Sequence, residues 1–184
     1  MTPSQRLRRV AILCCHCLRN LAFYRAGWRT NARNFGGQFW VNANGNFLSI
    51  CVLEWCKLFG DERGKHYWRK VVSDPEAFIQ GLLNNAEISE AEFDNYIMEM
   101  RTYRDKFVGH LDLEEVMHIP TLTITLQSTT YLYDYLLANE GEASLFADAP
   151  QSASAFYSRF LRKGGQEYGS HESGSDHTRR LTLR

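Results

Sequence analysis

The sequence predicts an all-α protein: a single-domain helical bundle of five or six helices, with a long N-terminal helix and a flexible C-terminal tail. Three observations carry this expectation. Apolar residues recur at alternating steps of three and four along most of the chain, the spacing of a buried helix face. Cap signals stand ahead of the periodic stretches, as in Asp74-Pro75 and Ser89 with Glu92. The chain has 184 residues, 44% hydrophobic and 13% aromatic, which suits one domain with a sizeable aromatic-rich core.

The first helix is expected from Ser4, as N-cap, to Trp28, because Leu7, Val10, Cys14, Cys17, Leu21, Tyr24 and Trp28 make an unbroken seam. The stretch NARNFGGQFWVNANGN, rich in Gly and Asn, reads as a connection. A second helix is expected from Asn46 to Phe59, with Leu48, Cys51, Val52, Trp55 and Leu58 on one face and Gly60 as its C-terminal cap. KHYWRKVV reads as a short helical piece, and Asp74 with Pro75 opens the next helix. Ser89 and Glu92 form a capping box for a helix running through Leu111. The stretch after Pro120 alternates like a strand over six residues, yet Leu122, Leu126, Thr129, Leu132, Tyr133, Leu136 and Leu137 keep helical spacing, and the helical reading is preferred. A last helix is expected from Ser152 to Lys163, so the domain spans residues 1–163, and the Gly- and Ser-rich residues 164–184 read as a tail.

Composition excludes several classes. No apolar run approaches a membrane span, and the N-terminus lacks a secretory leader pattern, so a cytoplasmic protein is expected. An Arg-rich, acid-free N-terminus resembles a mitochondrial presequence, but its seam is too regular for a disposable segment. Five cysteines, three of them crowded at 14, 15 and 17, do not form a disulfide framework. CCHC at 14–17 cannot converge on one tetrahedral ion from a helix, so no metal and no cofactor is expected, and the thiols are read as small buried hydrophobes. Net charge is zero but polarised. Seven arginines and no acid precede Cys51, whereas residues 71–100 carry seven acids and no base. Either these segments neutralise each other across the fold, the preferred reading, or the arginines form a surface for a phosphate backbone. The tyrosines at 96, 103, 131, 133 and 135 read as core or interface, and His118 as an exposed loop residue.

One residue resists the pattern. Phe93, Ile97, Met100, Arg104, Phe107 and Leu111 follow helical steps, which places a permanent cation in an apolar stripe. An unpaired buried guanidinium costs several kcal/mol, so Arg104 either pairs with an internal acid or opens onto a wet cleft. In an ideal helix, His110 lies about 9 Å further on and about 120° around, near enough for one substrate to bridge the two. Arginine is suited to clamping phosphate, and histidine to moving protons near neutral pH.

The stretch YRDKFVGHLD at 103–112 fits R-x(4–6)-H with a polar residue after the arginine, and LEWCKLFGDERGKHYWRKVV precedes it at 53–72. Together they resemble the HEPN superfamily of small helical domains, and most closely its abortive-infection branch, over about residues 5–140. Cys56 departs from the small residue expected after the tryptophan. The resemblance implies a metal-independent endoribonuclease whose site forms where two protomers join. In it His110 serves as general acid or base, Arg104 stabilises charge on the phosphate, and Asp105 orients one of them or a water. It also implies a homodimer, RNA as substrate, products with 2′,3′-cyclic phosphate and 5′-hydroxyl ends, and a role in phage defence, stress or a toxin-antitoxin pair with an antitoxin partner. The alternative is a non-catalytic HEPN-like adaptor that binds nucleotide, RNA or protein.

Overall fold

The computed structural model describes residues 1–29, 37–109, 118–141 and 143–181. Among them are six α-helices: α1 (Pro3–Arg29), α2 (Gln38–Trp55), α3 (Pro75–Ala86), α4 (Glu90–Tyr103), α5 (Thr123–Asn139) and α6 (Ala153–Leu181). α2 and α4 each run directly into a π-helical turn, Cys56–Gly60 and Arg104–Gly109 respectively, and short 3-10 turns cover Trp68–Lys70 and Ala143–Phe146. The all-α bundle expected from the periodicity is the observed architecture.

α1 is the central element, packed against α2, α5 and α6. Its predicted seam holds: Val10, Cys14, Cys17 and Leu21 are completely buried and Tyr24 nearly so, while Leu7 is half-buried and Trp28 lies open at the end. The helix starts at Pro3, one residue before the expected cap Ser4, and Thr2 caps it instead. Thr2 Oγ1 accepts from the Gln5 backbone N–H at 3.2 Å, and the Gln5 side chain accepts from the Thr2 N–H at 3.0 Å, a reciprocal box with Pro3 in the first turn.

Of the expected connection before Asn46, residues 31–36 lie outside the described residues, and from Gln38 onward it is helix. α2 begins at Gln38 because Trp40 and Asn44 find partners on α6: Asn44 Oδ1 accepts from Tyr168 Oη at 3.0 Å, and the Trp40 and Tyr168 rings lie 5.1 Å apart. Local propensity favoured a loop, and burial overrode it. The same contacts carry the packed part of α6 beyond Lys163 to the buried Tyr168, past the expected domain boundary. Gly164 permits the close α1–α6 approach, since a Cβ there would lie 2.7 Å from that of Ala26.

The remaining caps follow the sequence. Asp74 accepts from Ala77 N–H ahead of α3, and Ser89 with Glu92 forms the capping box of α4. Gly60, however, is not a left-handed cap; it is buried in a close approach to α4, where a Cβ would sit 3.2 Å from Arg101 Cγ. The core centres on Trp55, which stacks on Phe59 (5.2 Å) and meets Tyr96 edge-on (5.2 Å). α5 supplies polar groups to it: Trp55 Nε1 donates to Ser128 Oγ at 2.9 Å, and Tyr96 Oη and Thr125 Oγ1 are 2.6 Å apart. Tyr103 and Tyr133 are buried as well, while Tyr131 and Tyr135 are half-buried against Phe78.

Candidate functional site

α4 carries the motif, and its buried seam is displaced from the predicted one. Phe93, Tyr96, Met100 and Tyr103 are buried, whereas Ile97 and Phe107 are only half-buried. These burials centre the apolar face on the tyrosine row. Arg104 therefore stands on the margin of the stripe and not in its middle. The cost expected for a cation in the core falls away, because the margin leaves the guanidinium in contact with water.

Arg104 is also the first residue of the π-helical turn, and its side chain is 26% exposed. Its Nε donates to Asp105 Oδ1 at 2.7 Å, and that carboxylate is itself 60% exposed. This bond raises the proton affinity of the guanidinium further, with smaller help from Cys56 and Asp61. Among the described residues no acid from another element pairs with Arg104; its partner is the next residue along the chain. The π turn also removes the basis for the separation of about 9 Å and 120°, which assumed an uninterrupted α-helix. His110 lies outside the described residues, so the structure brings Arg104 and Asp105 together and does not place the third member of the expected site.

The turn at Arg104 packs against the end of α2, and the turn at Cys56 packs against α4. Single π-helical turns within or at the end of α-helices are rare and frequent at functional sites. Cys56 occupies the contact: its thiol donates to the Met100 carbonyl at 3.7 Å, and burial pushes its pKa up to about 12 against the opposing pull of Arg104.

Two concavities flank the motif helix. One, of about 440 Å³, is lined by Gly60, Asp61, Glu62, Arg63 and Arg101, on the side from which Asp61 acts on Arg104. The other, of about 670 Å³, runs along Met98, Tyr103, Lys106 and Phe107 to His118 and Ile119. His118 is exposed, as expected, but faces this groove. Asp61 carried no sequence signal, since its approach to Arg104 depends on the path of the loop after α2.

The cysteines are free, and Cys14, Cys17, Cys51 and Cys56 are buried like small hydrophobes. Cys17 and Cys51 lie with sulfurs 3.8 Å apart. No group of three or more potential metal ligands is found among the described residues. No described helix is long and apolar enough to cross a membrane. The expected neutralisation of the basic N-terminal segment by the acidic middle segment does not take the form of ion pairs among the described residues. Among the described residues, the ion pairs are Arg8–Asp148, Lys57–Glu54, Arg69–Glu76 and Arg104–Asp105, none joining α1 to residues 71–100. No protein-family model, curated protein or solved structure matches the chain.

Proposed function

We propose that the chain is a HEPN-type, metal-independent endoribonuclease in which Arg104, Asp105 and His110 act on a phosphodiester at a cleft completed by a second copy, in a defence, stress or toxin-antitoxin setting. The observation that supports this reading is the state of Arg104: a half-buried guanidinium on a π turn, braced at Nε by an exposed neighbour. With Nε engaged by Asp105, both terminal nitrogens are directed by a fixed brace, the arrangement needed to meet two phosphate oxygens at once. Asp105 is thus a positioning residue. His110 would move the proton between the ribose 2′-hydroxyl and the departing 5′-oxygen.

The test is cleavage of labelled RNA by the purified full chain in the presence of a chelator. Cleavage giving 2′,3′-cyclic phosphate ends, lost in His110→Ala with the melting temperature retained, is the expected result. Absence of cleavage in the wild type, or an undiminished rate in the variant, rejects the reading.

A specific observation favours the second reading, an adaptor. Trp28 and Phe39 are 59% and 73% exposed, and Val41 is 46% exposed, an unusual display of large apolar groups that suits a protein partner. RNA binding that is absent even at low salt would select it.

A further inference from the structure

Away from the motif, the outer face of α1 closes a cavity against α5, the connection after α5 and the start of α6. Its volume is about 290 Å³, at the small end of the range of small-molecule sites, about 300–1,000 Å³. Ala11 and Ile12 of α1, Phe146 of the 3-10 turn and Phe156 of α6 form apolar walls. The CCHC run divides between two surroundings. Cys14 and Cys17 are buried in the core, whereas Cys15 and His16 line this cavity, with Arg19 one turn further along α1.

The walls are fixed by hydrogen bonds of the fold itself. Tyr133 Oη donates to the Pro150 carbonyl at 2.6 Å, and Arg8 reaches across from α1 to the Leu145 carbonyl at 3.0 Å and to the Asp148 carboxylate. The cavity is therefore preformed, as ligand sites usually are. Arg8 and Asp148 neutralise each other. Arg19 is different: it is half-buried and forms no ion pair among the described residues. Its guanidinium rests 5.9 Å from the Phe160 ring, a contact that steadies the side chain without cancelling its charge. His16, also half-buried, stands one turn before it on the same face.

We propose that this cavity binds a small aromatic carboxylic acid, with its ring against Phe146 and Phe156 and its carboxylate on Arg19 and His16. Charge argues for the acid. The cavity's one carboxylate is already paired and one of its guanidinium groups is not, so an anionic group is the complement it lacks. Small volume and aromatic walls argue for a single ring. The site stands apart from Arg104, and the proposal does not rest on RNA cleavage.

The test uses the full chain and two probes of similar shape, 3-phenylpropionate and 3-phenylpropan-1-ol, which differ in charge. Binding is read by calorimetry and by the rate at which the Cys15 thiol reacts with the neutral reagent 4,4′-dithiodipyridine. The acid should give a saturable heat and slow the Cys15 reaction roughly tenfold or more, since an occupied cavity denies the reagent access. The alcohol should bind roughly tenfold more weakly, and Arg19→Gln should bring the acid down to the level of the alcohol, the loss of one charge-assisted hydrogen bond. Arg19→Lys, which keeps the charge, should restore part of the affinity. Neither heat nor protection from the acid up to millimolar concentration overturns the proposal. Equal binding of acid and alcohol overturns it too, as does binding of the acid that Arg19→Gln leaves unchanged, because the ligand would then be a neutral apolar compound. If Arg19→Gln does not fold, the comparison of acid with alcohol in the wild type decides alone.

Discussion

Replacing Arg104 by methionine separates a structural role from a chemical one. The Arg104–Asp105 pair spans 2.7 Å, but its two side chains are 26% and 60% exposed. Pairs of this kind contribute about 0–1 kcal/mol, and methionine retains the apolar stem that covers the margin of the seam. For a domain of this size 1 kcal/mol corresponds to about 2–4 °C, so the melting temperature of Arg104→Met should lie within about 4 °C of the wild type. Loss of one preorganised charge at a reacting phosphate is far larger, about a hundredfold to a thousandfold in rate. Circular-dichroism melts and cleavage of labelled RNA in chelator, run on the same preparation, read both quantities. A drop of roughly 10 °C or more would mean that the guanidinium holds the fold together, since it corresponds to about 3 kcal/mol or more. A variant that melts normally and cuts RNA at the wild-type rate would remove Arg104 from the chemistry.

Further predictions concern the packing that positions the motif. Ser128→Ala leaves Trp55 Nε1 buried without an acceptor and should cost about 1–3 kcal/mol in urea unfolding, whereas a loss under about 0.5 kcal/mol would mean the bond is replaced. Gly164→Ala forces a Cβ to 2.7 Å from Ala26 and should destabilise by about 1–3 kcal/mol; Gly165→Ala, with open space around it, should stabilise by up to about 1 kcal/mol. Equal effects at the two glycines in thermal melts would contradict the α1–α6 packing. Of the five thiols, Cys15 alone should react readily with a disulfide reagent in the folded protein, because it is half-buried while the others are almost fully covered. Cys56 is raised from 9.0 to about 12 and Tyr168 from 10.0 to about 12, chiefly by burial. A folded pKa above the unfolded one stabilises fully below the unfolded value and ceases to do so as pH rises through the folded value. The melting temperature should therefore fall progressively above pH 9, less steeply in Cys56→Ala, and a flat profile across that window would count against the burial of these groups.

The sequence by itself determined the helical class, the seams of α1 and α2, and the starts of α3 and α4. Each of these depends on neighbours within a turn or two: apolar spacing of three and four, Asp74 ahead of Pro75, Ser89 facing Glu92. It also singled out Arg104 and Asp105 as neighbours of unusual character. Only the tertiary structure decided the rest. α2 extends back to Gln38 because Tyr168, more than a hundred residues away in sequence, supplies a partner for Asn44. Thr125 and Ser128, polar on paper, are buried because Tyr96 and Trp55 reach them. The seam of α4 rotates toward its tyrosines for the same reason, which moves Arg104 from the centre of a stripe to its wet margin. Periodicity records which face of a helix is apolar; which polar groups share that face's shelter depends on what packs against it, and that is fixed only when the chain folds back on itself.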